Sequence, residues 1–434
     1  MHIPTTAAAE HTQAPTKVRW KIFLMMLFLI SINYIDRASL SVAMPMIAKE
    51  FDLSPAMQGL LLSSFFWTYA FMQIPGGMLA DKYGPRSVIA GATLGWGLFQ
   101  TIAAFTTGWF PLLLTRLGLG AAEAPIYPAG GKLNGIWMTQ NERGRGATLL
   151  DGGAPLGAAL GAIIIAGLIA FFGSWRISFV VAGVGTMIAG YFAWSYIRNH
   201  PREHSGVNEA EARHIEAAHA EDARADAGTS KGKLLDFFKY RSVWGMFFGW
   251  MCFNALFYGL LTWMPTYLSK VHGMDIKAMG GALFAMFFSG FVGEMIGGWI
   301  ADKWREKGGN QATVLRTLFG IASIIATIAI YGVSQITDPV TVVILLSITL
   351  FFLRWCGLFW CIPSLIGTRN RVGFLGGVMN LGGNCAGIGV PIIVGLIVQA
   401  TGSYFMALMM FTGAGVGLFI CSALLIDYSK KVPV

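Results

Sequence analysis

Twelve apolar runs, each long enough to cross a bilayer, leave this 434-residue chain few ways to fold. They lie at 20–44, 57–79, 87–105, 109–135, 146–171 and 175–197, then at 242–265, 278–300, 313–333, 340–363, 374–399 and 403–427. A helix needs about 20 apolar residues to cross the hydrocarbon core. Only helices and closed barrels satisfy every backbone polar group there. Composition agrees: 55% apolar residues, 12% charged residues and a mean hydropathy of +0.60 do not suit a water-soluble globule of this length. The pattern predicts an all-α membrane protein whose twelve spans form two six-helix bundles.

The first run follows Lys17, Arg19 and Lys21 and continues past Asn33 without a small-residue cleavage site, so it is expected to be a spanning helix and not a cleaved leader. The domain reading is a disordered N-terminus over 1–18, a first bundle over 19–197, a polar linker over 198–241, a second bundle over 242–428 and a tail over 429–434. Within the linker, 208–225 has the composition of a short surface helix. Of the 31 Lys and Arg, 23 fall on the side shared by both termini and the linker; Lys49, Arg176, Lys270 and Lys277 fall on the other. The positive-inside rule then predicts that both termini are cytoplasmic, in a bacterial inner membrane. On this reading the net charge of +9 reports topology. No compact basic patch and no zinc-type Cys/His spacing supports a nucleic-acid partner or a metal, and no nucleophile or phosphate-loop motif supports an enzyme. All seven histidines lie outside the apolar runs, so any proton coupling is expected to use carboxylates, with no cofactor beyond the proton gradient.

The halves repeat. Gln73-Ile-Pro-Gly-Gly-Met-Leu-Ala-Asp81-Lys82-Tyr83 closes the second span, and Glu294-Met-Ile-Gly-Gly-Trp-Ile-Ala-Asp302-Lys303-Trp304 closes the eighth in the same register. Asp151 in the fifth span and Asn380 in the eleventh stand equally far before the turns Gly173-Ser-Trp and Gly402-Ser-Tyr. Parallel repeats of this kind place a small-molecule site at mid-membrane between them, with access alternating by rocking. Asp81, Arg86 and Asp302, beside the conserved-register glycines, read as gating residues that latch one conformation through charge-assisted bonds.

Ionisable residues within the spans carry the chemistry, because a charge at that depth costs about 2.5–3.5 kcal/mol or more. Asn33-Tyr34-Ile-Asp36-Arg37 puts a carboxylate and a guanidinium in the first span. A carboxylate can neutralise by taking a proton; Arg37 cannot and needs an anionic partner. Arg116 and Glu123 stand two helical turns apart on one face of the fourth span, roughly 10 Å along the axis. Arg116 is thus a candidate carboxylate binder, and Asp36 and Glu123 are candidate proton carriers. A purely structural Asp36–Arg37, Arg37–Glu123 or Arg116–Glu123 network is the plainer alternative. Arg354 precedes Pro363 by the same interval as Arg116 precedes Pro125, which makes it a candidate second anion clamp. Pairing of Arg354 with Asp151 or Glu294 is the structural alternative.

These residues resemble the major facilitator superfamily, and within it the anion:cation symporters typified by bacterial galactonate, glucarate and hexuronate transporters. The similarity rests on Asn33-Tyr34-Ile-Asp36-Arg37-Ala-Ser-Leu, Gln73-Ile-Pro-Gly-Gly, Arg116 with Glu123-Ala-Pro, and Gly376-Gly-Val-Met-Asn380. It implies proton-coupled import of a small organic anion, most simply a sugar acid, by a monomer in the lipid bilayer. By the same resemblance Asp36 and Glu123 carry protons, Arg37 and Arg116 couple or bind the anion, and Tyr34, Tyr69 and Asn380 line the cavity. Three departures bear on the cargo. Ala154 replaces a family glutamine, with Asp151 just before it; Phe359-Trp360-Cys361 replaces a more hydroxylated stretch; and Gly130-Gly131-Lys132 replaces Asn-Asn-Arg. A sugar acid remains the first expectation, with an aromatic or less hydroxylated acid such as phthalate or tartrate as the alternative cargo; an anion antiporter is the alternative mode of transport.

Overall fold

The structure, a computed structural model, describes residues 14–139, 142–225, 234–367, 372–430 and 432. The first six spans are α1 (Val18–Glu50), α2 (Pro55–Tyr83), α3 (Pro85–Ala103), the consecutive pair α4 (Trp109–Glu123) and α5 (Ile126–Trp137), α6 (Arg143–Phe172) and α7 (Trp175–Tyr196). The linker helix is α8 (Glu209–Ala225). The last six spans are α9 (Arg241–His272), α10 (Ile276–Glu306), α11 (Gln311–Val333), α12 (Pro339–Leu353) running on into α13 (Ile362–Ile366), α14 (Val372–Thr401) and α15 (Phe405–Phe419). Every apolar run finds its helix.

Among the described residues nine helical segments are long and apolar enough to cross a membrane by length and composition alone. The other three spans fall short for local reasons. Gln58, Ser63, Ser64, Thr68 and Gln73 dilute α2; α3 is short and carries Thr93 and Gln100; and the fourth span breaks where Pro125 follows Glu123. Packing supplies what composition lacks, since Gln58, Ser63, Ser64, Thr93 and Gln100 are all buried. The tenth span tightens over Arg354–Cys361 into 3₁₀ geometry before Pro363.

Helix ends follow the sequence. Ser54, Asp275 and Asp338 each accept a bond from the backbone N–H three residues on, capping α2, α10 and α12. The turn glycines of the repeat, Gly173 and Gly402, both hold the left-handed conformation at φ 65° and 66° that closes α6 and α14.

Two parts of the domain reading change. The segment expected to be disordered is ordered from residue 14: Thr16 Oγ1 donates to Glu211 Oε2 at 2.5 Å, and Asn208 Nδ2 donates to the Ala14 carbonyl at 2.8 Å. Residues 1–13 lie outside the described residues. The linker helix is docked, because the buried Glu211 accepts from the Val18 and Arg19 amides and from Arg19 Nη1 at 2.7 Å. A carboxylate at the N-terminus of α1 meets free N–H groups and the positive end of the helix dipole. Arg19 also bridges to Glu142 at 2.9 Å, tying the linker to the start of α6.

The two bundles meet along α2 with α14 and along α6 with α10, the two pseudo-symmetric seams, with α1 against α9 between them. Contact is closest on the side away from the termini. A Cβ on Gly59 would stand 2.3 Å from the Pro391 carbonyl oxygen, one on Gly395 would lie 2.5 Å from that of Pro55, and one on Gly280 would meet the Ala166 methyl at 2.5 Å. Toward the termini the seams part. Gly144 on the Asp151 face of α6, and Gly373, Gly376 and Gly377 on the Asn380 face of α14, have no neighbour within 4 Å of the same position. The two bundles are thus closed together on one side and open toward the termini. Replacing Gly59 by Val should weaken the closed seam by roughly 1–3 kcal/mol, the usual cost of overpacking. Cross-linking of cysteines introduced at Ala56 and Gln399 would then fall; unchanged cross-linking would show that the seam tolerates the side chain.

Candidate functional site

Three guanidiniums lie at mid-membrane, each treated differently by its neighbours. In the first bundle, Arg37 Nε donates to Glu123 Oε2 at 2.9 Å, with both side chains buried. The rings of Tyr34, Phe65 and Tyr69 surround the guanidinium at 4.7, 4.5 and 4.5 Å. Its Nη1 and Nη2 have no hydrogen-bond partner among the described residues, nor does Glu123 Oε1. Glu123 closes α4 just before the break at Pro125 and so reaches across to α1.

Arg116 shares that face of α4. It is buried against Phe65 at 5.6 Å, and its Nε and Nη1 are likewise unpartnered among the described residues. Arg37 and Arg116 border one small void together with Ser41, Phe65, Phe66 and Thr262. Two fixed positive charges border this void, and one carboxylate, Glu123, is directly paired with one of them.

Asp36 points the other way from Arg37. Its Oδ2 accepts from Trp96 Nε1 at 3.1 Å and from Thr186 Oγ1 at 2.8 Å, in a fully buried setting between α1, α3 and α7. The Asp36–Arg37 pair is therefore not the structural contact. Arg37 takes Glu123, and Asp36 is held by two neutral donors.

The central cavity lies beyond the Tyr34 and Tyr69 rings and has a volume of about 60 Å³, room for a few waters. Tyr34, Tyr69, Arg354 and Asn380 line it, and so do Tyr127, Asp151, Asn254 and Asn384. Its second-bundle wall is aromatic: Trp250, Phe253, Phe257 and Trp360. Arg37 and Arg116 do not line it: the Tyr34 and Tyr69 rings cover Arg37, and Arg116 lies against Phe65. The six residues expected to bind cargo are thus divided between two adjoining spaces.

Arg354 is already engaged. Its Nη2 donates to Glu294 Oε2 at 2.6 Å and to Asp151 Oδ2 at 3.1 Å, and its Nε donates to Glu294 Oε2 at 3.2 Å. Both partners named in the structural alternative are present together, so Arg354 is not a free symmetry mate of Arg116. Gly290 leaves room for the Arg354 stem, where a Cβ would come within 3.2 Å of Cγ. Asn380 Nδ2 donates to Gln73 Oε1 at 2.7 Å across the α2–α14 seam.

The gating residues depart from expectation. Asp81 pairs with Lys132 at 2.9 Å and not with Arg86. Arg86 donates instead to the Trp194 carbonyl at 3.0 Å and lies 4.2 Å over that indole. Asp302 has a single weak contact among the described residues, to Arg305 at 3.9 Å. Sequence reasoning missed Trp96, Thr186 and Lys132, which reach their carboxylates from distant helices. It also missed the Gln73–Asn380 bond, although the repeat register had singled out both residues.

Residues 26–391 match the Major Facilitator Superfamily, and the chain belongs to that family. It is a multi-pass membrane transporter and not an enzyme. It is 30% identical over 412 residues to the probable sulfoacetate transporter SauU of Cupriavidus necator, covering 95% of this chain and 94% of that one. It is 31% identical over 429 residues to the probable galactarate/D-glucarate transporter GudP of Bacillus subtilis, covering 96% and 94%. The fold matches a bacterial homolog of the human lysosomal transporter Spinster, solved inward-facing and unoccupied, with a TM-score of 0.72 at 18% identity over 96% of this chain and 98% of that one.

Because Arg37 cannot shed its charge, Glu123→Ala should destabilise the protein by about 3–5 kcal/mol, the cost of leaving a buried charge unpaired. Glu123→Gln, which keeps a hydrogen-bond acceptor, should cost less. Unfolding of the two variants in the same detergent would separate them; equal stability would show that Arg37 does not depend on the carboxylate.

Proposed function

We propose that this transporter imports a small organic anion together with protons, with a sugar acid as the first candidate cargo. The observation that carries the reading is the pair Arg37 and Arg116, two buried guanidiniums bordering one void with a single directly bonded carboxylate, Glu123, between them. An anion is what that site lacks. Glucarate, galactarate and sulfoacetate, the cargoes named for the relatives, are all small carboxylates, which agrees with two arginines. Tyr34, Tyr69 and Asn380 supply hydroxyl and amide groups suited to a polyhydroxy chain.

The mechanism follows from what each group can release. Protons reach Glu123 and Asp36 from outside the cell. A protonated Glu123 no longer holds Arg37, so Arg37 and Arg116 turn to the cargo carboxylate. The loaded carrier rocks to the state open toward its termini, the cytoplasmic side by the positive-inside rule in a bacterial inner membrane. There the cargo leaves, Glu123 loses its proton, and Arg37 returns to Glu123, the arrangement seen here. Proton and cargo are linked because each changes which partner Arg37 prefers. Asp36 acts in parallel through Trp96 and Thr186, whose helices α3 and α7 flank α1. A second cargo class, aromatic dicarboxylates, is favoured by the wall of Trp250, Phe253, Phe257 and Trp360.

Labelled glucarate and galactonate, compared in proteoliposomes with acid outside, should accumulate only under the gradient. Glu123→Gln should abolish that accumulation while retaining exchange of labelled for unlabelled cargo. Full concentrative uptake by this variant would remove Glu123 from the coupling step, and absence of uptake of both sugar acids would remove the cargo assignment.

A further inference from the structure

The two seams between the bundles are built alike but filled differently. Gln73 and Glu294 occupy the same position of the repeat, and so do Asn380 and Asp151. In the α2–α14 seam the neutral pair bonds directly, Asn380 to Gln73 at 2.7 Å. In the α6–α10 seam the corresponding residues are two carboxylates, Asp151 and Glu294, that converge on the same nitrogen, Nη2 of Arg354, at 3.1 and 2.6 Å. Two ionised carboxylates cannot bond to each other, and Arg354 is inserted between them. The two grips on Arg354 are unequal. Glu294 takes both Nε and Nη2, lies on the same bundle and packs over Gly357 with 8% of its side chain exposed. Asp151 takes Nη2 alone at 3.1 Å, comes from the other bundle and has 20% of its side chain exposed, facing the central cavity.

Resting on the organic-anion reading above, we propose that Asp151 is a tethered stand-in for a second anionic group of the cargo. A carboxylate or sulfonate at the far end of a dianion takes Nη2 of Arg354 from Asp151, and a proton shared between Asp151 and Glu294 replaces the lost bridge. The charge balance requires the proton. With both carboxylates ionised the trio carries one net negative charge; cargo arriving on Arg354 without a proton would leave two adjacent carboxylates facing an anion. The shared proton converts the α6–α10 seam into a hydrogen-bonded acid pair, the counterpart of Gln73–Asn380. The other titratable groups facing the trio are Tyr34 from α1, Tyr127 from α5 and Cys356 beside Arg354, all uncharged near neutral pH. A dianion should therefore bind with one more proton than a monoanion of the same backbone.

Intact protein in nanodiscs would be titrated with glucarate and gluconate, and with phthalate and benzoate, reading binding by isothermal titration calorimetry and proton uptake from weakly buffered solution. The wild type should take up about one more proton with the dianion of a pair than with the monoanion, following proton linkage. Asp151→Asn, which copies Asn380 and can still donate to Glu294, should erase that difference. It should also raise the ratio of dianion to monoanion affinity roughly tenfold, within the usual range of coupling between sites. Asp151→Glu should restore wild-type behaviour, which separates loss of the switch from misfolding. Equal proton uptake within each pair in the wild type, or an unchanged or lower affinity ratio in Asp151→Asn, would overturn the proposal. Binding confined to phthalate and benzoate would remove the sugar-acid reading and leave this test to run on the aromatic pair; no binding by either pair would overturn both.

Discussion

A guanidinium inside a membrane cannot lose its charge, so every arginine placed there fixes the position of an anion. Arg37 fixes Glu123 at the end of α4, and Arg354 fixes Glu294 and Asp151. Arg116 has no such partner among the described residues. The aromatic rings around Arg37 at 4.5–4.7 Å screen it without neutralising it. The break at Pro125, the tight turn from Arg354 and the tyrosine layer over Arg37 all sit where these charges must be held, and the apolar remainder of the spans is free to face lipid.

The same constraint explains why the seams matter. Glycines bring the bundles into backbone contact away from the termini, at Gly59, Gly395 and Gly280. Nearer the middle of the spans, before the seams part, the bundles are joined by polar groups, Gln73 with Asn380 and Asp151 with Arg354. Packed glycine contacts are either made or broken as rigid units, whereas a polar bridge can exchange its partner for a ligand or a proton. Rocking between two such sets of contacts needs no flexible element within either bundle.

The fold was legible because span length and repeat register are local properties. Each of the twelve runs has its helix, and Gly173 and Gly402 close α6 and α14 in the same conformation. The buried ionisable residues were legible for the same reason, since a charge among apolar neighbours stands out in one dimension. Their partners were not. Nothing near Asp36 in sequence points to Trp96 or Thr186, and Asp81 with Arg86 looked like a pair until Lys132 reached Asp81 from α5. Local order at residues 14–18 was missed because it comes from Glu211, far along the chain. The division of the predicted binding residues between two spaces depends on where the Tyr34 and Tyr69 rings lie, which spacing along a helix does not encode.

Under the proposed mechanism the cargo competes with Glu123 for Arg37, and a proton on Glu123 decides for the cargo, so proton and cargo move together. The most direct test of that coupling is the pH of weakly buffered medium outside proteoliposomes, recorded as unlabelled cargo is added with no gradient imposed and the membrane potential clamped. The medium should become more alkaline in step with cargo entry, and an uncoupler should abolish the change. Cargo entry with no change in external pH would contradict the coupling.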